Sequence, residues 1–155
     1  MVPAPAKMSA ASATPSPAPD LPYKRARILY ADDMKELREL ISIVLSKEGH
    51  MVETVADGRF ALARLTAEPD AFDLLITDHH MVDMNGLELV TALRHTAYRG
   101  KIMIFSSELS HEVGAAYLAL AVDHVLQKPV LPAALRQLVR KMFSTPAEPG
   151  VVAVR

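Results

Sequence analysis

Short apolar runs alternate with amphipathic stretches along most of this chain. Ala26-Arg27-Ile28-Leu29-Tyr30-Ala31 is a strand-length apolar run that ends in the acidic pair Asp32-Asp33. Met34, Leu37, Leu40, Ile41, Val44 and Leu45 then recur at three- and four-residue spacing, which predicts an amphipathic helix closed by Gly49. Asp33, with Glu36 three residues on, has the spacing of a variant capping box. Residues 51–55 read as a second strand, Asp57-Gly58 as a turn, and residues 59–67 as a short helix stopped by Pro69. Residues 73–77 form a third strand that delivers Asp78 to a polar loop running to Gly86. Leu87, Val90 and Leu93 mark the third helix, and residues 101–105 the fourth strand, which ends in Ser106-Ser107. An Ala-rich helix over 110–121 leads to a fifth strand over 122–126 and then to Lys128-Pro129. The last helix has Pro132 in its first turn and carries Leu131, Leu135, Leu138, Val139 and Met142 on one face.

Five strands alternating with five helices predict an α/β fold, a doubly wound parallel sheet with helices on both faces. The first 22 residues hold six of the eleven prolines, with Lys7 and Asp20 as the only charges. Such a segment buries too little apolar surface to offset its ordering entropy. Residues 1–24 are therefore expected as a disordered arm, 25–143 as one packed domain and 144–155 as a flexible tail. Half the chain is hydrophobic, enough for a core, while a net charge of −1 with interspersed signs argues against nucleic acid as a partner. Without cysteine there is no disulfide, thiolate zinc site or thiol catalysis, which suits a cytoplasmic setting. No apolar run approaches the roughly 18 residues of a membrane span, so no membrane is expected as a partner.

Candidate chemistry stands at the strand ends. Asp32 and Asp33 follow the first strand, Asp78 the third, Ser106 the fourth and Lys128 the fifth. A parallel sheet brings those ends to one edge, where open α/β sheets bind ligands. Three converging carboxylates repel one another unless a cation is present, and Mg²⁺ suits hard oxygen ligands with phosphate oxygens. A lysine and a hydroxyl beside them complete a site for a phosphoryl group.

With these residues in place, residues 27–142 resemble a response-regulator receiver domain of two-component signalling. The resemblance rests on Asp32-Asp33, on Asp78 followed by Met81, Met84, Asn85 and Gly86, on Ser106, and on Lys128-Pro129. It implies the flavodoxin-like strand order 2-1-3-4-5. It also implies that Asp78 accepts phosphate from a histidine kinase or histidine phosphotransfer protein. Asp33, Asp78 and the His80 backbone carbonyl would bind Mg²⁺, with Asp32 acting through water. Lys128 would hold a phosphate oxygen, and Ser106 would swing to bond the phosphoryl group and report it. The output would be a change in protein binding on the face made by the fourth helix, fifth strand and fifth helix. Small residues along that fourth helix (Gly114, Ala115, Ala116, Ala119, Ala121) suit either close approach by a partner, a second copy of the chain included, or ordinary packing.

Three positions depart from the family pattern. Val82 replaces a loop proline, a loss worth a few tenths to about 1 kcal/mol through the unfolded state. Val125 stands where strand five usually carries the aromatic switch residue, so the coupling of Ser106 to a ring is altered. The pair His79-His80 is the third departure. His80 and Glu108 occupy places that help set phosphate lifetime in the family, and the resemblance has them gate the attacking water. A rival assigns His79, His80 and Asp83 to a transition metal. Other readings remain. The chain could be a receiver segment of a hybrid kinase or a phosphorylation-independent scaffold. A haloacid-dehalogenase-type phosphatase would need a second aspartate where His80 stands and a substrate cap.

Overall fold

Strand residues divide their side chains between two cores, and that division organises the molecule. The structure is a computed structural model that describes residues 21–145. The rest of the expected arm and tail, 1–20 and 146–155, lies outside the described residues. The elements run β1 (Arg27–Ala31), α1 (Lys35–Ser46), β2 (Met51–Val55), α2 (Gly58–Ala67), β3 (Leu74–Asp78), α3 (Gly86–Leu93), β4 (Lys101–Ser106), α4 (His111–Ala119), β5 (His124–Gln127) and α5 (Pro132–Met142).

All pairings are parallel and the order is β2-β1-β3-β4-β5, as expected. Alternation puts Ile28, Tyr30, Leu74, Ile76, Met103 and Phe105 into one core with Ile41 and Leu45 of α1 and Leu135 and Val139 of α5. The intervening residues Leu29, Ala31, Leu75, Ile102 and Ile104 pack on the other face with Leu65 of α2, Leu89 and Val90 of α3, and Tyr117 of α4. All five β3 residues are buried, as befits a central strand covered on both faces.

Several boundaries differ from the sequence reading. Asp33 and Glu36 make no capping box: Met34 is the N-cap of α1 and makes no side-chain cap bond, while its N–H donates to Asp32 Oδ1 (2.9 Å). The box needs Asp33 at the N-cap, and the helix starts one residue too late for that. Asp57-Gly58 is not a free turn, because Asp57 caps α2 by accepting from Phe60 N–H (2.9 Å) and Gly58 opens the helix. β3 and β4 each run one residue further than expected and so include Asp78 and Ser106 themselves. β5 begins at His124, because Ala121 turns the chain with φ 56° before the strand can start.

The packed body also extends past the expected 25–143. Tyr23 pairs with Ser144, Lys24 N–H donates to Phe143 O (2.8 Å), and Tyr23 Oη donates to Glu48 O (3.0 Å). Beneath Tyr23 lies His50, buried, with Nδ1 accepting from Ala26 N–H (3.0 Å). Burial pushes the His50 pKa down, Glu48 opposes and Arg140 adds to the depression. A protonated Nδ1 cannot accept that bond. Below about pH 6.5 the unfolded chain takes up a proton that folded His50 refuses, so stability falls as pH drops from there. Thermal denaturation between pH 7 and 5 checks this, with the drop expected to flatten in His50→Gln.

Candidate functional site

The carboxyl ends of β1, β3 and β5 converge because their registers align, with Ala31 opposite both Val55 and Thr77, and Ser106 opposite Gln127. Asp78 continues the Leu74–Ile76 alternation and Asp32 the Ile28–Tyr30 alternation, so both lean toward the α1–α5 side. Lys128, two residues past Leu126, arrives on the same side. Its ammonium lies 3.2 Å from Asp78 Oδ1 and 3.5 Å from Asp32 Oδ2.

Asp32, Asp33 and Asp78 each bring a carboxylate oxygen within 4.8 Å of the others. Their environments differ. Asp32 is fully buried and fully engaged: Tyr30 Oη donates to Oδ2 (2.6 Å), Met34 N–H donates to Oδ1, and Arg38 donates to its carbonyl (2.7 Å). Asp33 is exposed and takes part in no hydrogen bond or ion pair among the described residues. Asp78 is buried, and burial raises its pKa; Lys128 opposes this, while Asp32 and Asp33 push the same way as burial. Burial likewise raises the Tyr30 hydroxyl, reinforced by its bond to Asp32.

The site is thus a cluster of hard oxygen donors with one ammonium against three carboxylates. That donor set fits Mg²⁺, which is held by one or two carboxylates with its remaining positions open to water and phosphate oxygens. Asp33 and Asp78 have the freest oxygens, whereas Asp32 is already committed to Tyr30 and Met34. No described group donates to the His80 carbonyl.

The remaining site residues fall less simply. Ser106 is fully buried, and its hydroxyl donates to Glu108 O (2.7 Å) rather than toward Asp78. His80 and Glu108 are both exposed, and among the described residues no hydrogen bond or ion pair joins them. The rival metal set of His79, His80 and Asp83 does not assemble: the one cluster of metal-ligand type among the described residues is the aspartate triad. Alternation explains this, since His79 turns inward to Tyr117 of α4 while His80 turns to solvent. After Met81 and Val82 the loop folds back at Asp83, φ 68°, with Met84 N–H donating to Val82 O (2.8 Å).

Two contacts were not foreseen from sequence. Tyr30 and Asp32 are two apart in an extended chain and hence on one face, a signal the acidic pair overshadowed. Gly86 is a second. A Cβ there would stand 2.7 Å from Tyr117 Oη, 2.8 Å from Asp78 O and 3.1 Å from His79 Cα. The start of α3 therefore presses against the end of β3. Gly86→Ala is expected to cost roughly 1–3 kcal/mol by overpacking, read by urea denaturation.

Comparison with known proteins converges on one family. The response regulator receiver domain model matches residues 28–140. The chain is 36% identical over 121 residues to the transcriptional regulatory protein CpxR of Escherichia coli K12, covering 74% of this chain and 50% of that protein. It is 30% identical over 138 residues to the alkaline phosphatase synthesis transcriptional regulatory protein SphR of Synechococcus elongatus, covering 82% and 54%. The chain thus spans about half the length of these curated relatives. Among solved structures it superposes on the chemotaxis response regulator CheY4 of Vibrio cholerae with a TM-score of 0.69, at 33% identity over 77% of this chain and 100% of that one. A response regulator receiver protein from Pseudomonas putida gives 0.70 at 26% identity, over 76% and 98%. The converging strand ends and the matched span leave one conclusion: this chain belongs to the receiver domains of two-component response regulators, a family of phosphoacceptors that bind Mg²⁺ in an acidic pocket.

Proposed function

We propose that this chain accepts a phosphoryl group on Asp78 from a histidine kinase or histidine phosphotransfer protein and thereby switches its binding to another protein. The observation that carries this is the Lys128 ammonium 3.2 Å from an Asp78 carboxylate that shares its pocket with Asp32 and Asp33. A buried carboxylate beside one fixed cation is a nucleophile in a site arranged for charge on a transferring phosphoryl group. An Asp78 oxygen forms a bond to phosphorus in line with the breaking bond to the donor nitrogen, which leaves with its electron pair. Lys128 meets an equatorial oxygen of the phosphoryl group as charge spreads there. Mg²⁺, when held by Asp33, Asp78 and the His80 carbonyl with Asp32 through water, supplies further neutralisation of those oxygens.

Once Asp78 carries phosphate, Ser106 has a stronger acceptor than the Glu108 carbonyl and exchanges one for the other. That exchange displaces residues 107–110 and the α4 that follows. The downstream contact lies on the α4–β5–α5 face, where Leu118 is 78% exposed and Gly114 has open space above it. A protein partner or a second copy of the chain fits there. Exposed His80 and Glu108 flank the site and set the access of attacking water, hence the phosphate lifetime.

The test is incubation with acetyl phosphate and Mg²⁺ followed by intact mass. One added phosphoryl group is expected, and chelating the metal should abolish the gain. A protein that gains no mass with Mg²⁺ present would be a receiver-like scaffold that works without phosphate.

A further inference from the structure

The α2–α3–α4 side of the sheet holds a tyrosine for which phosphate acceptance has no use. Tyr117 of α4 is fully buried, and its hydroxyl meets His79 Nδ1 at 2.5 Å. The two rings stand edge-on, with centroids 5.5 Å apart. A buried phenol needs a polar partner. This one finds it on the residue directly after Asp78.

The placement follows from alternation. Asp78 turns toward the α1–α5 side, so His79 turns toward α3 and α4. Its backbone is held on both sides: His79 N–H donates to Phe105 O (2.8 Å), and its carbonyl accepts from Gly86 N–H (2.9 Å). The Tyr117 hydroxyl enters the gap that the missing Gly86 Cβ leaves open. One side chain of α4 is thus bonded to the junction of β3, β4 and α3, immediately beside the phosphoacceptor.

Val125 belongs to the same cluster, partly buried against it. The strand-five position on this face therefore offers no ring to follow Ser106, His124 being its neighbour in the strand, and the aromatic side chain on this flank of the site comes from α4 instead. We propose that Tyr117 is the positioning residue that couples the Asp78 loop to α4, through its hydrogen bond to His79, in the place left by the absent strand-five aromatic. The proposal rests on the reading of Asp78 as the phosphoacceptor. Ser106 moves the entry to α4 from its N-terminal side. Tyr117 ties the helix two turns later to the loop after Asp78, so the two contacts oblige α4 to shift as a unit with the loop.

Tyr117→Phe keeps the ring and removes the hydroxyl. In ¹⁵N-labelled full-length protein treated with acetyl phosphate and Mg²⁺, intact mass reports phosphorylation and amide shifts report its reach. The variant is expected to gain phosphate as the wild type does and to keep the shifts of residues 78–86. Its phosphorylation-dependent shifts over α4 should fall roughly threefold or more. His79→Leu removes the other partner and should reproduce that selective loss, with no further loss in the double variant. Full α4 shifts in phosphorylated Tyr117→Phe would overturn the coupling. So would a loss spread equally over β1 and α1, which would mean general loosening. A wild type that takes up no phosphate would instead remove the phosphoacceptor reading and the coupling with it, so the two failures are told apart by mass alone.

Discussion

Asp78→Asn is expected to abolish phosphorylation by acetyl phosphate and, in the same protein, to raise the melting temperature. The first half follows from chemistry: an amide offers no anionic oxygen to attack phosphorus. The second follows from the electrostatics of the pocket. Burial raises the Asp78 pKa, and Lys128 opposes the rise without cancelling it, because Asp32 and Asp33 push the same way as burial. A carboxyl whose folded pKa is raised stabilises the fold only while protonated, so its contribution is complete below the unfolded value of about 3.9 and lost as pH rises through the folded value. At neutral pH the ionised form is a net cost that the neutral isostere removes. The gain should be on the order of 1 kcal/mol, about 4 °C for a domain of this size. Two controls follow. The advantage of the variant should shrink as pH falls through the folded value of Asp78, and be gone below about 3.9, where folded and unfolded chains are both protonated. Added Mg²⁺ should stabilise the wild type more than the variant, because a ligand that binds only the folded state shifts stability by mass action. A variant that melts below the wild type at pH 7 without metal would contradict this account of the pocket.

That trade of stability for reactivity was partly legible in the chain. Asp32, Asp33, Asp78 and Lys128 were placeable because each ends a strand-length apolar run, and a parallel sheet has one carboxyl edge. The two cores were legible for the same reason, since Ile28 and Leu29, or Leu75 and Ile76, must face opposite ways. What alternation does not encode is which contact wins locally. Asp33 has the spacing to cap α1, yet the helix starts one residue later with Met34 at the N-cap, and only the folded backbone decides that. Ser106 was placed at the edge, but its present partner is a carbonyl two residues on. His79 and His80 read as a pair because they are adjacent, yet adjacency at a strand end means opposite faces. The link from His79 to Tyr117 spans 38 residues and depends on a glycine that lets α3 approach. The helical spacing of Val113, Tyr117 and Leu120 signals an inward face for Tyr117, but no spacing rule says what a buried hydroxyl will meet.

Lys128→Ala should show the opposite balance, losing both rate and stability. Its ammonium is the one side-chain cation within ion-pairing distance of Asp32 or Asp78 among the described residues. Without it, an Asp32 that is fully buried and an Asp78 that is nearly so repel each other with nothing between them. Removing one partner of a buried ion pair costs roughly 3–5 kcal/mol, because the charges left behind stay desolvated. Removing a fixed electrostatic donor to a transition state slows reaction roughly 10²–10³-fold, the scale expected for phosphate uptake here. Metal separates the two effects. Mg²⁺ relieves carboxylate repulsion and should recover much of the melting temperature, while the phosphoryl oxygen that Lys128 serves stays unmet and the rate stays low. The Lys128→Ala/Asp78→Asn double variant gives the cleaner measure. Taking away the repelling charge should restore most of the stability lost in the single variant, so the two substitutions combine far from additively. Phosphorylation of Lys128→Ala at the wild-type rate would show that the ammonium balances charge in the resting pocket and leaves the transferring group alone.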